Sequence, residues 1–167
     1  VSQVLVKKNL WPAIVANLRL AQKSYAAIGF PGDAPKSNAA HGGTGMTNLQ
    51  VAIINEFGSA PAGAKPSIPA RPFIKETIRR DGYRGPLYML GKNLLALITR
   101  GEMSTKIALD RWGKAGADAT KATIVASKEW AVPNAPYTKA KKRSSTPLID
   151  TGAMRQAITH KTRMKRS

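Results

Sequence analysis

A chain of 167 residues with 27 lysines and arginines against nine acids, a formal charge of +18, has room for about one domain and demands an acidic counterpart. Hydrophobic residues at 43% support a packed core and argue against wholesale disorder. The absence of cysteine excludes a disulfide framework, a thiol nucleophile and cysteine-ligated metal, and His41 and His160 lie too far apart in sequence to suggest a zinc site.

Val4 and Val6 alternate ahead of Lys7 and Lys8, which reads as a short strand. The same stretch lacks the charged-then-apolar order of a secretory signal, and no apolar run approaches a membrane span. A soluble, intracellularly made protein is expected. Residues 10–23 place Trp11, Ile14, Val15, Leu18 and Ala21 on one stripe of a helix, with Asn9 as cap and Pro12 in the first turn. Residues 25–30 are short and apolar and predict a strand stopped by Pro31-Gly32. Residues 31–47, rich in Gly, Pro, Ser and Asn, predict a flexible loop. Gly42, Gly43 and Gly45 complete neither a phosphate-loop nor a dinucleotide fingerprint.

Residues 48–57 favour a short helix ending at Gly58, with a buried strand as the alternative. Pro61, Pro66, Pro69 and Pro72 hold the following segment extended, and Pro72 suits the first turn of a helix running to about Arg80. Leu87, Leu90, Leu94, Leu97 and Ile98 mark the next helix, stopped at Gly101. A longer one spans 104–130 on the stripe Leu109, Trp112, Gly116, Ala119, Thr123, Ala126 and Trp130, an ordinary core-facing pattern whose small residues permit close approach. Residues 132–136 break it, 137–147 form a basic, polar loop, and Asp150 or Thr151 caps a short turn. Residues 157–162 predict a terminal strand, and 161–167 a basic tail. The whole describes one α+β domain over residues 1–160: a small, mostly antiparallel sheet packed on two or three long helices, with long Gly/Pro-rich and basic loops.

The positive charge concentrates late. Residues 137–167 hold nine basic side chains and one acid, Asp150. Lys139, Lys141, Lys142, Arg143, Lys161, Arg163, Lys165 and Arg166 are therefore candidate contacts to DNA phosphates or to an acidic protein neighbour. A solvated surface explains the same run equally well, since aromatics do not interleave with it and its spacing matches no recognition helix. Catalytic chemistry finds no footing: HExxH, GxSxG and paired carboxylates are all missing. Asp150 with His160 reads as a cap and a surface histidine rather than part of a triad. Glu56, flanked by Ile54 and Phe57, reads as a polar anchor in a subunit contact or as an exposed helix end.

Three motifs recur in an order that carries more weight than each alone. They are Asn55-Glu56-Phe57-Gly58 after an apolar run, Pro69-Ala70-Arg71-Pro72-Phe73 opening a helix, and Pro147-Leu148-Ile149-Asp150-Thr151-Gly152 leading to a final strand. Over residues 25–160 the chain resembles the neck and tail-completion (head–tail joining) proteins of long-tailed bacteriophages, which overlap the phage virion-morphogenesis group. The resemblance implies an α+β virion protein with no enzymatic activity and no cofactor. It implies copies arranged in a ring at the head-proximal end of the tail, assembled in the host cytoplasm. Its partners would be the tail terminator, tail tube and head connector, with genomic DNA passing non-specifically through the lumen and no membrane involved. Asn55, Glu56, Phe57, Gly58, Arg71, Pro72 and Phe73 would then lie at the subunit interface, with Phe57 and Phe73 as apolar anchors and Arg71 paired with Glu56 on the same subunit or across an interface. A non-specific DNA-binding protein is the alternative, and a small lytic hydrolase a third reading.

Overall fold

The computed structural model describes residues 9–59, 68–142 and 144–165. The strand expected around Val4 and Val6 lies outside them. Asn9 opens the first helix, its Oδ1 accepting the Trp11 amide at 3.0 Å, and Pro12 sits in the first turn, where a missing N–H has no cost. This helix, α1 (Trp11–Lys23), runs into strand β1 (Tyr25–Gly29). The glycine-rich stretch that follows holds a single-turn helix, α2 (Pro35–Asn38), and a turn closed by an antiparallel bridge between Ala40 and Thr47. Buried Asn48 ties these together: its Nδ2 donates to the Lys36 carbonyl at 2.9 Å. That leaves Asn48 Oδ1 to accept from His41 Nδ1 at 2.7 Å, which fixes the histidine tautomer.

Of the two readings of 48–57, the helix holds: α3 (Asn48–Phe57) starts with a reciprocal capping box between Thr47 and Gln50. Helix α4 (Phe73–Thr77) continues as a π turn over Ile78–Gly82, and α5 (Pro86–Thr99) ends in Gly101 at φ 73°. Next come α6 (Thr105–Val125), α7 (Ser127–Trp130), α8 (Pro136–Lys141), α9 (Ala153–Ala157) and strand β2 (Thr159–Arg163).

The chain is α+β. Among the described residues its sheet has two antiparallel strands, with Ile28 opposite His160 and Tyr25 opposite Arg163. The longest helices among the described residues, α1, α5 and α6, have 13, 14 and 21 residues. The sheet lies directly on α6, and two glycines make that approach possible. A Cβ on Gly113 would stand 2.7 Å from the His160 ring, and one on Gly116 would collide with Ile28. His160 then reaches past Gly113 to Asp110 of the same helix, Nε2 to Oδ1 at 2.9 Å. One apolar cluster joins Phe73, Ala117, Ile124, Leu148, Met154 and Ile158, with Phe30 edge-on to Phe73. A second joins Leu94 and Ile98 of α5 to Ala108 of α6, with Leu18 of α1 and Trp112 against it.

Four expectations are corrected. The helix over 104–130 breaks at Ala126 into α6 and α7, and Trp130 folds back so that its Nε1 donates to the Thr123 carbonyl at 3.0 Å. The buried face of α6 also turns toward Ala108, Gly113, Ala117, Thr120 and Ile124, sharing Gly116 and Thr123 with the expected stripe, because the sheet and α5 both cover it. The basic stretch expected as loop is in its first half the helix α8, and the expected tail begins inside β2: Lys161 and Arg163 are strand residues.

Candidate functional site

The first two motifs meet in space. Gly58 ends α3 at φ 76° and ψ 175°, a region open essentially to glycine, and a Cβ there would lie 2.9 Å from the Ile68 carbonyl oxygen. Ser59 and Ile68 bridge in both directions, and the Arg71 amide donates to the Asn55 carbonyl at 2.6 Å. The segment from Ile68 therefore runs back along the end of α3 into α4.

Within one chain the expected ion pair between Glu56 and Arg71 does not form. Pro72 precedes α4 without a side chain that can accept its first amides, and Glu56 supplies that acceptor. Its carboxylate takes the Ile74 amide at 2.9 Å and the Lys75 amide at 3.2 Å, at the helix end where negative charge is favoured. Arg71 turns the other way and is 6% exposed. Its Nε donates to the Val132 carbonyl at 2.8 Å and its Nη2 to the Pro133 carbonyl at 3.4 Å. Burial lowers its pKa from the ordinary arginine value. The two expected anchors also part company. Phe73 is fully buried in the core, whereas Phe57 projects into solvent with 77% of its surface exposed.

All three motifs line one half-open cleft of about 470 Å³: Asn55 from the first, Pro69 and Arg71 from the second, and Pro147, Leu148 and Asp150 from the third. Asn134 and Lys142 complete its polar lining with His41, Thr44 and Thr138. Lys142, expected to point at an external partner, instead donates to the carbonyls of Pro147 at 3.0 Å and Ile149 at 3.3 Å. Burial lowers its pKa, Asp150 draws it back up, and neighbouring Arg71 presses it down again. Asn134 is 5% exposed, and its side-chain NH₂ finds no hydrogen-bond partner among the described residues.

The other basic candidates separate into two groups. Lys139, Lys141, Arg163 and Lys165 are exposed, with Lys141 lying over the Tyr137 ring at 4.5 Å from its centroid. Lys161 is paired with Asp33, which ties β2 to the loop after β1. Arg143 and Arg166 lie outside the described residues. Sequence reasoning missed Asn134, which sits between two prolines in a stretch read only as a helix break, and it singled out Lys142 without foreseeing its inward role. No three acidic or histidine side chains among the described residues converge as a metal site would need. No helix among them is long and apolar enough to cross a membrane. Compared with protein families, curated proteins and solved structures, the chain matches none.

Proposed function

We propose that the chain is a structural protein of the bacteriophage neck. In this reading it forms part of an oligomeric ring at the head-proximal end of the tail, completes the tail, and joins it to the head connector. The order of the three motifs supports the reading, and the observation that carries it is an apolar surface beside the first two. Ile53 and Phe57 share one face of α3, and Ile74 and Ile78 are likewise four residues apart on α4 and its π turn. Glu56 fastens the two helices together. Ile53, Phe57 and Ile78 are 49%, 77% and 60% exposed in the isolated chain. Rigidly mounted apolar side chains of this kind suit burial against a neighbouring copy. The neighbours would be further copies, the tail terminator and tube, and the head connector; the role is assembly, without catalysis or cofactor.

The exposed cations suit contact with DNA in the lumen or with acidic protein neighbours, and they also favour the second reading, a non-specific DNA-binding protein. Incorporation into particles separates the two. Phe57→Ser removes only exposed apolar surface, so the variant is expected to fold with an unchanged Tm. It is also expected to be lost from purified virions, at less than about a tenth of the wild-type level, as truncation of a central interface aromatic predicts. Wild-type incorporation of a folded Phe57→Ser chain contradicts the interface. DNA affinity with a steep salt slope, in a chain absent from virions, favours the alternative.

A further inference from the structure

The cleft contains more binding capacity than the fold uses. Arg71 spends two of its five donors on the Val132 and Pro133 carbonyls, and no acid bonds it among the described residues. Arg71 and Lys142 bring two cations to the lining, which also holds the carboxylate of Asp150. The buried NH₂ of Asn134, in the same lining, lacks an acceptor among the described residues. The spare Arg71 donors and the Asn134 NH₂ call for an acceptor, and a carboxylate is the acceptor that also answers the cations. The rest of the lining is mostly apolar, including Val51, Ile68, Pro69, Leu148 and Met154, and holds no phenylalanine, tyrosine or tryptophan on which a nucleobase would stack. A volume of about 470 Å³ falls within the usual range of ligand sites, about 300–1,000 Å³.

We propose that this cleft is a docking site for a single carboxylate flanked by apolar groups, namely a glutamate or aspartate side chain on an extended segment of a partner protein. The carboxylate takes the place beside Arg71 and Asn134, and the apolar flanks cover the proline and methionine walls. The Asp150 carboxylate in the same lining opposes a phosphate dianion more strongly than a single carboxylate. The inference rests on the cleft alone, and it holds or fails independently of the neck reading.

The probes are acetyl-Leu-Glu-Leu-amide, its Gln counterpart and inorganic phosphate, titrated into isotopically labelled full chain and followed by NMR. Binding of the Glu peptide is expected to shift the Asn134 side-chain NH₂ and the Arg71 Nε–H. The Gln peptide should bind at least about tenfold more weakly, the worth of one hydrogen bond to a charged group. Those site-specific signals distinguish the cleft from general attraction to a +18 chain. Asn134→Leu discards a buried unpartnered donor, so it is expected to raise the Tm while losing about tenfold in affinity for the Glu peptide. Lys142→Gln weakens the same binding, and Lys114→Gln, on the exposed side of α6, leaves it unchanged. Equal binding of the Glu and Gln peptides overturns the proposal. So does Glu-peptide binding that Asn134→Leu leaves intact, or phosphate shifting the same two signals at lower concentration than the Glu peptide.

Discussion

At the scale of single residues, three charged side chains of the motifs and the cleft satisfy backbone groups. Glu56 takes two helix amides, Arg71 serves two carbonyls and Lys142 two more. None of these three depends on a charged partner for its direct hydrogen bonds. Arg71→Met tests the point, since it removes the buried charge but strips the Val132 and Pro133 carbonyls of their donor. A loss of about 2 kcal/mol is expected from urea unfolding at unchanged m-value, the cost of leaving buried acceptors unpaired. Arg71→Lys should recover little of it, because a single ammonium on a flexible stem does not span two carbonyls as a planar fork does. Full stability in either variant contradicts this role. The sequence marks Arg71 and Glu56 as unusual, but their partners could not be read from it. Val132 lies 61 positions away and contributes only a backbone oxygen, which no residue type announces.

At the scale of elements, local signals were legible wherever a cap or stop residue carries its own geometry. Asn9 before α1, Gly58 after α3 and Gly101 after α5 all act as their residue types suggest. The break at Ala126 was not legible, because alanine and serine leave no punctuation there. Helix α8 was hidden for another reason: its exposed lysines form no apolar stripe, and its Lys141–Tyr137 contact becomes visible only once the turn is formed. The π turn after α4 has a testable dependence on pH. Glu76 binds Arg79 through Arg79 Nε and Nη2 at 2.7 and 2.6 Å, and Arg80 Nε at 2.7 Å. The Arg79 hydrogen bond above all, with Arg80 adding to it, draws the Glu76 pKa down from 4.5 to about 2 against the opposing effect of burial. A carboxylate depressed on folding stabilises the native state above its unfolded pKa, and that contribution is lost as pH falls from 4.5 towards about 2. Glu76→Gln is therefore expected to lower stability at neutral pH and to flatten the acid limb of the stability–pH curve over that window. An acid limb identical to wild type contradicts the assignment.

At the scale of the whole molecule, the α+β architecture follows from the alternation of apolar stripes and two short strands, and the close packing of the paired strands on α6 follows from the placement of Gly113 and Gly116 beneath them. The cleft does not follow from any local pattern, since it gathers residues from α3, the segment after it, α8 and the turn before α9. What dominates this scale is the charge of +18, which opposes compaction. Raising ionic strength from about 0.01 M to about 0.1 M shortens the Debye length from about 30 Å to about 10 Å. The Tm of the isolated chain should climb across that interval, because exposed ion pairs such as Lys121–Asp118 lose little by comparison. A flat or falling Tm contradicts the view that the free chain carries unrelieved repulsion. In the proposed ring, acidic neighbours and the genome relieve it permanently. The most direct test of the structural role is electron microscopy of particles made with the gene silenced. Filled heads and finished-looking tails lying separate are the predicted result. Intact, infectious virions in normal yield would contradict it.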